Sequence, residues 1–144
     1  MTTTIDWNQL LDAALAARLN SYSPFSHFPV GAALLTVDGS VYSGCNVENS
    51  SYGLTICAER NALAAAVADG HREFTAIAVI AERHPPAQPC GMCLQTLAEF
   101  APGDFLILLA DTAGERRERR LRDFLPDPFQ FRRDKRGGEG PTPG

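Results

Sequence analysis

The chain has 144 residues, of which 44% are apolar and 21% are charged. This length supports one hydrophobic core, and the composition is too apolar for an intrinsically disordered protein. No apolar run reaches the roughly 18–20 residues that a membrane-spanning helix needs. The first residues show no basic region followed by an apolar stretch, so we see no signal peptide. We therefore expect a cytoplasmic protein without a membrane partner.

Charge is distributed unevenly along the chain. Residues 1–114 carry four basic and eleven acidic side chains, whereas residues 115–144 carry nine basic and six acidic ones. Nucleic acids are bound through clustered Lys and Arg, so the acidic body argues against a nucleic-acid partner. From residue 132 onward the composition is Gly, Pro and charge. This predicts a single domain over residues 1–131 followed by a disordered tail over residues 132–144.

The first third of the chain predicts a helix and then a β-hairpin. Leu and Ala recur at helical spacing over residues 6–20, behind a capping pair formed by Asp6 and Gln9. An apolar segment, residues 30–37, is followed by an Asp-Gly dipeptide and by a second segment, residues 40–45. That dipeptide favours a tight hairpin turn.

The later segments alternate between helix and strand. Two of them are rich in helix formers and two are short apolar runs typical of buried strands. A charge-dense segment follows, which we interpret as a solvated edge strand or a short helix. The segments in order are residues 57–69, 74–81, 90–100, 105–110 and 115–123. This order predicts an α/β fold with helices on both faces of one sheet.

Three of the four cysteines have the spacing of a metal site. Cys57 begins one predicted helix, and Cys90 and Cys93 begin another. Cysteines three residues apart share one side of a helical turn. Three thiolates at about 2.3 Å leave the fourth tetrahedral position of Zn²⁺ open, as in catalytic zinc sites. Without a secretion signal the cysteines are expected to be reduced, which favours metal binding over a disulfide.

Two residues shortly after Cys57, Glu59 and Arg60, supply the remaining chemistry. The Glu59 carboxylate can take a proton from a zinc-bound water and deliver it to a substrate nitrogen. Arg60 can hydrogen-bond the cysteine sulfurs and offset part of their negative charge. Cys-x-Glu followed by Pro-Cys-x-x-Cys is the arrangement of zinc nucleobase deaminases. The pattern therefore predicts zinc-assisted deamination.

Interpretations of these residues without catalysis remain open. The cysteines could hold a structural zinc in a binding module without catalysis, or form a buried Cys-x-x-Cys pair beside an unrelated surface Glu59. Cys45 is interpreted as a small packed thiol rather than a fourth ligand. His84 lies on a proline-rich loop and is interpreted as a solvated side chain.

Several separated stretches between residues 23 and 129 resemble the cytidine deaminase family, in particular its small homotetrameric members. They read FPVGA from residue 28, GCNVEN from residue 44, YGLT from residue 52, CAER from residue 57 and PCG from residue 89, with FLP and Phe129 near the end.

The resemblance implies a three-layer α/β/α sandwich with a five-stranded mixed sheet, a Zn²⁺ cofactor and a homotetramer. It implies hydrolysis of cytidine and deoxycytidine to uridine and deoxyuridine, in pyrimidine salvage. Zinc-bound hydroxide would attack C4 while Glu59 shuttles protons.

The resemblance also implies a set of substrate-binding residues. Asn46 and Glu48 would bind the ribose hydroxyl, and Phe28 would line the base pocket. Ala58 is counted among the residues that contact the nucleoside. Phe129 would close the site of a neighbouring subunit, because an aromatic ring over a base is a usual source of stacking energy.

One position departs from the family pattern. Leu94 follows the last cysteine where the family usually carries Arg, although the expected Gln95 comes next. A guanidinium is a fixed multidentate donor that Leu cannot replace. Leu94 therefore motivates an alternative: a deaminase for a modified cytosine nucleoside, of the blasticidin S type or N4-substituted.

Overall fold

The computed structural model describes residues 4–131, which form one mixed sheet of five strands. The strand order across the sheet is β2-β1-β3-β4-β5. β3 and β4 are parallel, and the other neighbouring pairs are antiparallel. The strands are β1 (Val30–Thr36), β2 (Val41–Cys45), β3 (Phe74–Ala81), β4 (Leu106–Asp111) and β5 (Arg116–Arg120).

Four α-helices and one short 3-10 turn, Tyr52–Leu54, accompany these strands in residues 4–131. The predicted elements are confirmed, with ends that move by a few residues. The segment expected to be an edge strand or a short helix contains both, because a strand passes directly into a helical turn at Leu121. The helices are α1 (Trp7–Arg18), α2 (Ala58–Ala68), α3 (Gly91–Ala98) and α4 (Leu121–Phe124).

Helices cover both faces of the sheet, which confirms the α/β/α sandwich. Alternate residues of a strand point to opposite faces, and in β3 both faces are buried. Ile77 and Val79 pack in the cluster that contains α2 and α3 residues, whereas Ala76, Ala78 and Ile80 pack in the cluster with α1. A strand buried on both sides shows a continuous apolar run, which is the pattern of this segment.

Two glycines let the helices approach the sheet closely. A Cβ on Gly31 of β1 would lie 1.9 Å from the Ala14 carbonyl oxygen of α1. A Cβ on Gly44 of β2 would lie 2.5 Å from the Ala62 nitrogen and 2.6 Å from the Ala58 carbonyl oxygen of α2. Any larger residue would therefore push the helix away from its strand.

One edge of the sandwich gathers the segments that matter for chemistry. β1 begins at this edge and β2 and β3 end there, since Gly31 pairs with Cys45 and Val30 with Ala81. We call it the site edge. The segments that leave it lead to Asn46 and, from β3, to the start of α3.

The arginine-rich strand β5 forms one side of the sheet, beside β4. Charged side chains on an edge strand discourage pairing with another chain. The predicted tail, residues 132–144, lies outside the described residues. Within residues 4–131 we find no helix with the length and apolar character needed to cross a bilayer.

Candidate metal centre

The three predicted zinc ligands meet at the site edge. Cys57 is the N-cap of α2, Cys90 is the N-cap of α3, and Cys93 lies in the first turn of α3. The Cys57 Sγ lies 3.6 Å from the Cys90 Sγ, which lies 3.3 Å from the Cys93 Sγ. All three sulfurs are within 4.8 Å of one another. Ligands about 2.3 Å from a tetrahedral zinc lie about 3.8 Å apart, so this cluster fits the ion.

Helix termini and one arginine stabilise negative charge on these sulfurs. Backbone N–H groups at a helix N-terminus favour thiolates, and two such termini meet here. The Arg60 guanidinium lies 3.7 Å from the Cys57 Sγ and donates to the Thr55 carbonyl at 3.3 Å. Hydrogen bonding from Cys93, assisted by Arg60, lowers the pKa of Cys57 to about 5. The same thiol contact, together with burial, raises the pKa of Cys93.

Glu59 is the acidic side chain of the first turn of α2, beside the sulfurs. Only 5% of it is exposed. Burial, reinforced by the nearby Cys57 charge, raises the pKa of Glu59 to about 7. A carboxyl group whose pKa lies near neutrality can both accept and release a proton, which suits general acid–base catalysis.

Asn46 and Glu48 hold the loop that precedes β1. The Asn46 Oδ1 accepts the Val30 N–H at 2.9 Å, and its Nδ2 donates to the Phe28 carbonyl at 2.9 Å. The Glu48 Oε1 accepts the N–H groups of Phe25 and Ser26 at 2.9 and 3.1 Å.

The Ser26 hydroxyl also donates to Glu48, and this contact lowers the pKa of that carboxyl. Both side chains are nearly buried. They therefore fix the loop that carries Phe28.

Comparison with known proteins identifies the family. The model of the cytidine and deoxycytidylate deaminase zinc-binding region matches residues 5–109. The cytidine deaminase of Sporosarcina psychrophila is 46% identical over 125 residues, covering 87% of this chain and 92% of that protein. The chain belongs to the cytidine deaminase family.

Structural similarity supports the same family. The crystal structure of cytidine deaminase from Burkholderia pseudomallei superposes with a TM-score of 0.84 at 48% identity, covering 87% of this chain and all of that one. A blasticidin-S deaminase of Bacillus cereus is 34% identical over 89 residues, 55% of this chain and 62% of that protein. Together with the sulfur cluster, family membership establishes Zn²⁺ as the cofactor.

The remaining residues expected from this family occupy different surroundings. Phe28 is half-buried in the loop before β1, whereas the Ala58 side chain is fully buried in the core. Ala58 is the first residue of α2, and this position leaves its N–H without an intrahelical acceptor. The Phe129 ring is 72% exposed and packs edge-on against Phe131.

Leu94 is explained by packing. It is buried among the core residues beneath α2 and α3, so its side chain points away from solvent. The cationic contact to the sulfurs comes from Arg60 of α2 instead.

Sequence reasoning missed two features near the site. The Gln95 side-chain amide donates to the Phe129 carbonyl at 2.6 Å, and that of Gln130 donates to the Ala98 carbonyl at 2.7 Å, so the last described segment lies along α3. No local pattern signals a contact across more than 30 residues. The interpretation of His84 as a solvated side chain is confirmed by its 76% exposure, although sequence reasoning did not foresee that its ring contacts two carboxylates.

Proposed function

We propose that this chain catalyses the hydrolytic deamination of cytidine and deoxycytidine, giving uridine or deoxyuridine and ammonia. The observation that carries this proposal is the buried Glu59 carboxyl in the first turn of the helix whose N-cap is Cys57. Cys57, Cys90 and Cys93 would hold the zinc ion. Family membership supports the same reaction and the same class of small nucleoside substrate.

Glu59 is the proton carrier in this proposal. Zinc, when bound, supplies the Lewis-acid chemistry that makes water nucleophilic near neutral pH. The Glu59 carboxylate accepts one proton from the attacking water and delivers it to N3 of the cytosine ring. It then carries the second water proton, from the new C4 hydroxyl, to the departing amino nitrogen. The C4–N bond breaks, ammonia leaves, and the water oxygen becomes the C4 carbonyl. Arg60 offsets part of the thiolate charge that would otherwise weaken the metal's acidity.

Asn46 and Glu48 would orient the sugar. An amide has two N–H donors, and Asn46 uses one of them on the Phe28 carbonyl. The second N–H is available to a ribose hydroxyl. The Glu48 Oε1 already accepts two backbone N–H groups, whereas its Oε2 accepts the Ser26 hydroxyl and retains acceptor capacity. A carboxylate here would repel a 5′-phosphate, so we expect nucleosides to be preferred over nucleotides. Phe28 would pack on the base, and the Ala58 N–H would donate to it.

A homotetramer is the assembly that we propose. Six large apolar side chains are exposed around the site edge, on segments joined by the bridges Tyr22–Val47 and Val47–Ile56 and by an edge-on ring contact of Phe25 with Tyr52. An exposed apolar patch of this kind marks an interface. These side chains are Tyr22, Phe25, Val47, Tyr52, Leu54 and Ile56.

Copies of the same chain are the partner that best fits this patch. Its residues adjoin Asn46 and Cys57, so assembly would bring a neighbour's surface next to the site, and Phe129 would close the site of that neighbour. Light scattering should give about four times the 15.6 kDa chain mass. A monomer at micromolar concentration would contradict the assembly, without touching the assignment of the reaction.

A nucleoside panel tests the proposed reaction. Zinc-loaded protein should deaminate cytidine and deoxycytidine with a higher kcat/KM than blasticidin S or N4-substituted cytidines. The fall in cytosine absorbance measures each reaction. The relative named for blasticidin S matches a smaller share of the chain at lower identity. Absence of turnover on both plain nucleosides, with zinc confirmed bound, would reject the proposal.

We also place the enzyme in the cytoplasm, in pyrimidine salvage, and without a nucleic-acid partner. The four cysteines are free, and free thiols persist in a reducing compartment, which supports the first assignment. The acidic body supports the last. Fractionation of cells that produce the protein, followed by activity assays on each fraction, would test the location.

A further inference from the structure

A second group of metal-ligating side chains shares no residue with the cysteine cluster. His84, Asp111 and Glu115 each bring one ligand atom within 4.8 Å of the others. Asp111 ends β4 beside Ala81 of β3, its partner in the parallel pair. His84 follows β3, and Glu115 closes the turn that leads to β5. The group therefore sits at the carboxyl ends of the two parallel strands, where α/β sheets commonly bind ligands.

The Asp111 side chain is fixed in place and only 4% exposed. Its Oδ1 accepts the N–H groups of Ala113 and Glu115, both at 2.9 Å, and so builds the turn between β4 and β5. Its Oδ2 lies 3.5 Å from the His84 Nδ1. One oxygen thus serves the turn, while the other faces the imidazole.

The Glu115 Oε2 is buried and has no hydrogen-bond partner within the described part of the chain. It nevertheless lies 2.6 Å from the His84 Nδ1. At this distance the missing hydrogen bond means that the ring N–H does not point at the oxygen. A buried carboxylate oxygen without a hydrogen bond is costly, and a cation in contact with it would offset that cost.

The alternative without a metal is charge neutralisation by protein groups: a protonated His84 beside both carboxylates, with the Arg117 guanidinium 3.7 Å from the Glu115 Oε1. A protonated imidazole stabilises carboxylates by directing its N–H groups at them. The misaligned contact with Glu115 does not fit that arrangement. An imidazole nitrogen and a carboxylate oxygen that converge without a hydrogen bond between them, as in His84 and Glu115, fit ligands around a shared ion better.

We propose that His84, Asp111 and Glu115 form a second cation site, for a first-row divalent ion. One imidazole nitrogen and two carboxylate oxygens suit ions such as Mn²⁺, in contrast to the three thiolates that select zinc. Water would complete the coordination on the exposed side of His84. Binding would tie the segment that leads to Cys90 to the turn between β4 and β5.

Titration of the zinc-loaded protein with Mn²⁺ tests this site, with free Mn²⁺ followed by electron paramagnetic resonance. We expect one Mn²⁺ per chain in addition to the zinc, which is measured in parallel. His84→Gln and Glu115→Gln should each weaken Mn²⁺ binding by about tenfold or more. His71→Gln, in which another histidine with a carboxylate neighbour is changed, should bind like the wild type.

Three results would overturn the proposal. The first is no Mn²⁺ bound at about 1 mM. The second is equal Mn²⁺ affinity in the wild type, His84→Gln and Glu115→Gln. The third is Mn²⁺ that replaces the zinc instead of adding to it. Asp111→Asn keeps a side-chain oxygen that can accept the N–H groups of the turn. If this variant fails to fold, the Mn²⁺ affinities of His84→Gln and Glu115→Gln still test the proposal.

Discussion

The two helical layers of the sandwich pack on the sheet in the same way, but only the layer of α2 and α3 carries the sulfur cluster. α1 and α2 each approach a strand at a glycine, Gly31 or Gly44, and each buries a strip of Ala and Leu side chains. The difference lies in direction. α2 and α3 begin at the site edge, whereas α1 ends there, with Arg18 in its last turn donating to the Pro29 carbonyl at 3.2 Å.

Helix direction accounts for where the chemistry is located. A helix N-terminus carries partial positive charge and free N–H groups, whereas a C-terminus carries partial negative charge. Thiolates are therefore stabilised on the α2–α3 side and would be destabilised at the end of α1. Both helical layers pack equally well against the sheet. The position of the metal site therefore follows from which helix termini lie at the site edge.

Loss of a zinc ligand should have the largest effect. Cys90→Ser removes one of three thiolates, so zinc should dissociate and turnover should fall by at least about a hundredfold. Zinc content and cytidine turnover measure this. Cys45→Ser is the matched control, because Cys45 is half-buried and outside the sulfur cluster. Full activity in zinc-free Cys90→Ser would contradict the site.

Gly44→Ala and Gly31→Ala should separate the two layers. Each added Cβ meets helix backbone, so each should lower the free energy of unfolding by about 1–3 kcal/mol. Gly44→Ala displaces α2, which carries Cys57 and Glu59, and should also lower kcat. Gly31→Ala displaces α1 and should leave kcat nearly unchanged. Denaturant titration and steady-state kinetics give both values, and equal losses of kcat would refute the distinction.

Substitution of the two arginines at the site edge should affect zinc affinity differently. Arg60→Gln removes the cation beside the Cys57 sulfur and should weaken zinc affinity by about 10–100-fold. Arg18→Gln removes a contact at the end of α1 and should leave zinc affinity unchanged. Competition against a chromogenic chelator compares them. Unchanged affinity in Arg60→Gln would show that the guanidinium does not act on the metal.

Ser26→Ala should have a smaller effect that depends on pH. The Ser26 hydrogen bond lowers the folded-state pKa of Glu48, so its contribution is present above the unfolded pKa and is lost as pH falls through the folded pKa. Without the hydroxyl the folded pKa rises. The variant should therefore lose stability at a higher pH than the wild type during acid titration. Coincident acid transitions would argue against this role.

Removal of residues 132–144 should have the smallest effect. We propose that residues 1–131 form the catalytic domain by themselves, because the described helices, strands and site residues all lie before residue 132. The shortened chain should keep its kcat/KM within about twofold. A larger loss in a folded, zinc-loaded truncation would assign a role to the tail.

Much of this molecule could be predicted from sequence because its signals are local. Continuous apolar runs predicted β3 and β4, and the Asp-Gly turn predicted the hairpin. The spacing of Cys90 and Cys93 placed both thiols on one turn. Pairings across the fold were not predictable in the same way.

Three features depend on contacts between residues that are distant in sequence. They are the anchoring of the loop before β1 by Asn46 and Glu48, the hydrogen bond from Gln95 to Phe129, and the contact of His84 with Asp111. Such contacts cannot be predicted from composition or periodicity. The burial of Leu94 likewise follows from the way α3 lies on the sheet.

The most direct test of the central claim is the replacement of Glu59 by Gln, with zinc content and cytidine turnover measured on the same sample. Gln matches Glu in size but cannot carry the proton. The account predicts one zinc per chain, an unchanged fold and a loss of turnover of about 10²–10⁴-fold. Turnover close to the wild-type rate in zinc-loaded Glu59→Gln would contradict it.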